Sequence, residues 1–191
     1  MRTSSTQKRV KVQDEILDAT VDAFRDGDLD AFRTLYDRFE QPIYRFCRHM
    51  MIEEAPTRDA FQETFIRMFE NRRTLRTYNI QSWLFSIARR VCLNHIRARR
   101  RSHESFDEAY HGDFDHVAGH DVFLREQLEK AMAQLPVSLR EALILRDVEG
   151  HSYNEIAEIV GIDLSLAKVR VYRARLHMRR LLTTVVAERG R

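Results

Sequence analysis

Apolar residues recur at spacings of three and four along most of this chain, and its 191 residues include only 6 Gly and 3 Pro. Ile16, Leu17, Val21 and Phe24 make one stripe. Leu29, Phe32, Leu35, Tyr36, Phe39, Ile43 and Phe46 make a second, and Phe61, Phe65, Met68 and Phe69 a third. Trp83, Leu84, Ile87, Val91 and Ile96 make a fourth. Such spacing puts each set on one face of an α-helix, and with so few helix breakers the helices run long. The chain is therefore expected to be all-α. Helices are predicted over residues 12–25, from Leu29 to about Met51, from Pro56-Thr57 onward, and over 82–100, with Asn71 to Gln81 a polar, basic loop. Pro42 is expected to bend or split the second helix, because it removes a backbone donor and crowds the preceding turn.

Charge divides the chain into two parts. From Ser102 to Leu124 there is no Lys or Arg, while Glu104, Asp107, Glu108, Asp113, Asp115 and Asp121 make the stretch acidic, and Gly112 and Gly119 interrupt it. This reads as a linker. The predicted organisation is a disordered N-terminus (1–11), a helical domain (12–101), an acidic flexible linker (102–120) and a second small helical domain (121–191). The second is a four-helix, helix-turn-helix unit. Its first helix stops at Leu135-Pro136. Ser138-Leu-Arg-Glu141 and Ser152-Tyr-Asn-Glu155 have the spacing of capping boxes, Gly161 suits a left-handed turn residue, and Asp163 is placed to cap the last helix.

The formal net charge is +3 and the sequence pI about 9.0, but local basicity is larger than the net value, which points to a polyanionic partner. Cys47 and Cys92 are too few for a disulfide framework and suit a reducing cytoplasm, each as a buried small apolar side chain. No apolar run approaches a membrane span, and the N-terminus lacks the apolar core of a signal peptide. His103, His111, His116 and His120 lie in or beside the linker without a four-ligand pattern, so no metal is assigned. No phosphate loop, nucleophile elbow or catalytic carboxylate pair is present. The sequence thus points away from an enzyme, a cofactor or a small-molecule substrate.

The last helix is the most informative segment for function. On a wheel of about 100° per residue, Leu164, Ala167, Val171, Ala174, Met178 and Leu182 face the core. Ser165, Leu166, Val169, Tyr172, Arg173 and Arg180 face outward, with Lys168, Arg175 and Arg179 on one flank and Arg170 on the other. A cationic helix behind a tight turn fits a major groove. There Leu166 and Val169 can meet thymine methyls, Lys168 and Arg173 base edges, and Arg170, Arg175, Arg179 and Arg180 phosphates.

Taken in order, the motifs resemble those of the extracytoplasmic-function (group IV) sigma factors of bacterial RNA polymerase. Gly27-Asp-Leu-Asp-Ala-Phe32 with Leu35-Tyr36 looks like the family's opening segment. Asp59-Ala-Phe-Gln-Glu-Thr-Phe65 is similar to its polymerase-clamp-binding helix, and Ser82-Trp-Leu-Phe-Ser-Ile-Ala-Arg89 with Asn94-His-Ile-Arg97 to the segment that engages the −10 element. Leu135-Pro136, Arg140, Gly150-His-Ser-Tyr-Asn-Glu-Ile-Ala157 and Arg173-Ala-Arg175 are similar to the −35-reading domain. The resemblance implies that Asp59, Gln62 and Glu63 dock on core polymerase and that the loop around Tyr78 holds a flipped base. It implies further that Trp83, Arg89, Arg90, Asn94 and Arg97 engage the −10 region (Trp83 packing either in the core or against the melted junction), and that Ser165, Leu166, Lys168, Val169, Arg170, Tyr172, Arg173 and Arg175 read the −35 element. Core RNA polymerase, promoter DNA and an anti-sigma factor are the partners it implies.

The chain departs from the family's pattern at Arg90, where Asn is usual, in a loop without the usual Gly, and at Ser165-Leu-Ala-Lys-Val-Arg170. Its promoter sequence is therefore not carried over from relatives. The competing reading is a stand-alone helix-turn-helix regulator with an interaction module in front. It lacks a dimerisation heptad or a ligand pocket in its favour.

Overall fold

The computed structural model describes residues 17–76, 79–103 and 120–189, with side chains described over 17–76, 79–101 and 126–183. The expected disordered N-terminus, nearly all of the expected linker, and Tyr78 lie outside the described residues.

Among the described residues every regular element is helical. Helix α1 (17–26) ends at Gly27, whose φ of +99° is left-handed backbone that glycine adopts without strain. Asp28 then caps α2 (Leu29–Met51), accepting from the Asp30 and Ala31 N–H groups at 2.7 and 2.9 Å. Helix α2 is a single helix with Pro42 inside it, so of the two expected outcomes, a bend or a split, the split does not occur. Phe39 and Ile43 flank the proline and are buried in one core, and that packing outweighs the lost backbone bond. Helix α3 (Glu54–Glu70) begins two residues before Pro56, which therefore occupies the first turn, where its missing N–H is harmless. A short 3-10 turn (Arg72–Thr74) leads into α4 (Ile80–His103).

The stripes of α1–α4 close on one core containing Phe24, Leu35, Ile43, Phe46, Met68, Leu84 and Phe85, each fully buried. Cys47 and Cys92 lie within it with their sulfurs 3.8 Å apart. The Cys92 thiol is pushed well up by its contact with Cys47 and by burial, which suits an inert apolar role.

The second half comprises α5 (His120–Gln134), α6 (Val137–Leu143), a π-helical turn (Ile144–Val148), α7 (Tyr153–Val160) and α8 (Leu164–Arg189). The capping box at Ser152 forms as expected: Ser152 Oγ accepts from the Glu155 N–H at 3.2 Å and Glu155 Oε2 from the Ser152 N–H at 2.7 Å. Gly161 is left-handed at φ +74°, and Asp163 caps α8 through the Leu166 N–H at 2.8 Å. The box expected at Ser138 and Glu141 does not form. Helix α6 starts two residues earlier than that box requires, at Val137 behind Pro136, with no side-chain cap, and Glu141 is engaged by arginines instead.

The two halves pack on each other through α2 and α4 on one side and α6, the π turn and α7 on the other. Phe85 of α4 meets the ring of His151 edge-on at 4.6 Å. Arg140 of α6 is buried, and donates to the Ala133 and Leu135 carbonyls of its own half as well as to the Met50 carbonyl of the other. Ion pairs among the described residues span the junction, including Arg45–Glu149 at 2.7 Å, Arg48–Glu129 at 3.3 Å and Arg89–Glu141 at 2.8 Å. In each, the guanidinium belongs to the first half and the carboxylate to the second.

Candidate nucleic-acid interface

Helix α8 divides as its sequence predicts. Ala167, Val171, Ala174 and Met178 are buried, while Ser165, Lys168, Val169, Tyr172 and Arg173 are exposed, Tyr172 at 69%. Leu166 is exposed as well. One expectation fails: Leu164, assigned to the core face, is 39% exposed. It is the first residue of α8, directly after the Asp163 cap, so the helix is only beginning to approach the core there. No salt bridge among the described residues engages Lys168 or Arg173. The result is a mixed face of Leu166, Val169, Tyr172 and two uncommitted cations, well matched to methyl groups and base edges of a groove.

Arg175 and Arg170 differ from their neighbours. The Arg175 fork grips Asp147 of the π turn, Nε donating to Oδ2 at 2.9 Å and Nη2 to Oδ1. Arg170 Nη1 donates to Glu141 Oε1 at 3.1 Å.

On α4, Arg90, Asn94 and Arg97 are exposed, whereas Trp83 is half-buried and packs against the core. Arg89 turns toward the other half, donating from Nε to Glu141 Oε2 at 2.8 Å and from Nη2 to Oε1 at 3.3 Å. Arg89 and Arg170, assigned to different DNA elements, therefore meet on one carboxylate whose side chain is only 2% exposed. Arg97 and Arg100 line the same cleft, of about 270 Å³, with Leu93, Ile96 and Val137. The role of Glu141 was not anticipated from sequence.

On α3, Asp59 and Gln62 are exposed and Glu63 is half-buried. Glu63 receives His95 Nε2 at 2.8 Å and Arg67 Nε at 3.0 Å. The hydrogen bond from His95, aided by Arg67, holds its carboxyl below the ordinary range despite partial burial. Beside Gln62 a groove of about 620 Å³ opens between α2 and α3, lined by Leu29, Phe32, Tyr36, Phe61, Phe65 and Ile66 among others. Leu29 is 68% and Ile66 58% exposed, and with the groove they line they form a contiguous apolar patch rather than scattered single residues. Ile66, an apolar side chain between Gln62 and Glu70 on the exposed side of α3, is the sequence signal that could have found the groove.

Comparison with known proteins agrees with this geometry. Residues 35–102 match the model of Sigma-70 region 2, and residues 125–178 that of Sigma-70 region 4. The chain is 30% identical to the RNA polymerase sigma factor CarQ of Myxococcus xanthus over 179 residues, covering 90% of this chain and 100% of that one. The chain belongs to the extracytoplasmic-function group of the sigma-70 family. It is also 29% identical over 173 residues to the ECF RNA polymerase sigma factor SigE of Mycolicibacterium smegmatis, covering 86% of this chain but only 65% of that longer relative. Among solved structures, the sigma factor RpoE of Bartonella quintana, crystallised with the anti-sigma factor NepR, superposes with a TM-score of 0.70 at 25% identity, covering 80% of this chain and 96% of that one. Within this sigma factor, the α3 and α4 residues singled out above fall in the region 2 match, and the exposed face of α8 up to Arg175 falls in the region 4 match. No helix among the described residues is long and apolar enough to cross a membrane.

Proposed function

We propose that this chain is an alternative sigma factor that binds core RNA polymerase, recognises −35 and −10 promoter elements and promotes melting and initiation, without catalysing a reaction of its own. The observation that carries the reading is the division of α8. One face is buried in a capped helix-turn-helix unit, and the other presents Lys168, Arg173 and Tyr172 with Leu166 and Val169 to solvent. Arginine forks suit guanine edges and apolar side chains suit thymine methyls, so this face is assigned to the −35 element. The exposed Arg90, Asn94 and Arg97 of α4 are assigned to the −10 region with Arg89, Trp83 and Tyr78. Asp59, Gln62 and Glu63, with the apolar groove beside them, are assigned to the polymerase clamp.

We assign residues 12–101 to the polymerase- and −10-binding domain, 121–191 to the −35-binding domain and 102–120 to the tether between them. The working compartment is the cytoplasm, where the polymerase is. An anti-sigma factor is the proposed negative regulator, by analogy with the Bartonella complex.

The test is transcription in vitro from a genomic fragment library with bacterial core polymerase and the purified chain. Chain-dependent start sites sharing two upstream elements are expected. Tight DNA binding without any initiation would instead identify a stand-alone regulator.

A further inference from the structure

We propose that Glu141 is a built-in competitor for DNA, a single buried carboxylate that holds Arg89 and Arg170 together and keeps the free chain closed and weak in DNA binding. The inference rests on the reading of α4 and α8 as DNA-contacting helices. Arg89 belongs to the first half and Arg170 to the second, and both donate to Glu141 at 2.8–3.3 Å. A guanidinium fork recognises carboxylate and phosphate by the same planar pair of N–H bonds, so Arg89, whose fork is filled by Glu141, cannot grip a phosphate in that way, and Arg170 has one of its N–H groups taken by the same carboxylate. The carboxylate is held on the same chain, so its effective concentration is far above that of any DNA in solution.

Three further observations support the device. The side chain of Glu141 is almost wholly withdrawn from water, and burying a carboxylate in this way is costly unless charged partners hold it. Its spacing from Ser138 would allow a capping box, yet no side-chain cap forms on α6; the residue is committed to the arginines instead. The rest of the junction runs the same way, with Glu149 on Arg45 and Glu129 on Arg48, so acids of the second half hold arginines of the first beside the Glu141 contact as well. Among the described residues Glu141 is the only acid lining a cleft that also holds Arg97 and Arg100, which leaves a positive opening through which a phosphate backbone can approach and displace it. In this state the chain is a clasp: DNA, or a polymerase surface that separates the halves, must undo Glu141 before Arg89 and Arg170 become available.

The experiment compares the full-length chain with Glu141→Gln and Glu149→Gln. Fluorescence anisotropy measures binding to a non-specific duplex without polymerase, and small-angle scattering measures the radius of gyration. Glu149→Gln weakens the same junction at Arg45, outside the DNA-contacting set, and guards against a Glu141→Gln chain that folds poorly. Expected results are a larger radius and roughly tenfold tighter DNA binding for Glu141→Gln, with a smaller change in the same direction for Glu149→Gln. Unchanged radius and affinity in both variants, with the wild-type chain still initiating transcription with core polymerase, would overturn the clasp and leave the sigma-factor reading intact. Opening without any gain in DNA affinity would also overturn the proposal. If the wild-type chain then failed to initiate with core polymerase as well, the sigma-factor reading itself would fall.

Discussion

Arg140 Nη1 donates to the carbonyl of Met50 at 3.0 Å, tying α6 of the second half to the last turn of α2 in the first. The same guanidinium also satisfies the Ala133 and Leu135 carbonyls. Burial, and then the like charge of Arg100, pull its pKa down to about 10, so it remains ionised at neutral pH. Arg140→Ala strands three carbonyls and is expected to destabilise the chain by roughly 3 kcal/mol, read as a lower denaturation midpoint. Arg140→Lys recovers little, because one ammonium on a flexible stem cannot reproduce the planar fork.

His151 makes the junction sensitive to acid. Its ring is buried against Phe85, and burial lowers its pKa from 6.5, opposed only by nearby Glu155. The imidazole is therefore neutral in the fold where it would protonate in the unfolded chain. Stability is retained above pH 6.5 and lost as the pH falls from there toward the lowered folded value. Stability at about pH 5.5 should fall below that at about pH 7.5 by up to about 1.4 kcal/mol in total, and His151→Leu should flatten that loss. An equal loss in the variant would assign the acid sensitivity to other groups.

Arg173 and Arg175 are two residues apart but differently committed. Arg173 is exposed without a salt bridge among the described residues, whereas Arg175 is engaged by Asp147. Arg173→Ala in the holoenzyme is expected to weaken −35 recognition by about 1–3 kcal/mol in a sequence-dependent manner. Arg175→Ala should have a smaller effect, because reaching DNA first requires leaving Asp147. Promoter competition with altered −35 sequences separates the two, and equal loss on all sequences would make Arg173 a phosphate contact.

The polymerase-facing assignment is best tested away from Glu63, which is engaged by His95 and Arg67 and so also serves the α3–α4 packing. Asp59→Lys with Gln62→Lys should abolish co-purification with core polymerase at unchanged thermal stability. Ile66→Glu, at the edge of the apolar groove, should weaken it at least tenfold, the effect of about 1.4 kcal/mol. Retained binding in both variants would move the clamp surface elsewhere.

Short-range signals were legible in the sequence. Asp28, Ser152 and Asp163 cap the helices they precede, and the buried and exposed faces of α8 separate as its periodicity requires, apart from Leu164 in the first turn. Where prediction failed, a distant partner decided. Pro42 stays within one helix because Phe39 and Ile43 are held by a core assembled from four helices. Glu141 looked like the partner of Ser138, three residues away, and instead binds arginines 52 and 29 residues distant. Local patterning says nothing about which face of α6 meets α4, so neither the junction nor the groove at Leu29 and Ile66 was visible before the helices were assembled.

The one-way arrangement of the junction, with acids on one half and arginines on the other, has a consequence for ionic strength. Each arginine that reaches duplex phosphate releases condensed cations, at about 0.9 per contact, but each carboxylate it leaves behind becomes free to take up a cation from solution. Salt should therefore weaken DNA binding by the free chain less steeply than its number of phosphate contacts implies. The chain carries its own counterions, and the missing part of that slope counts how many of them must be set free.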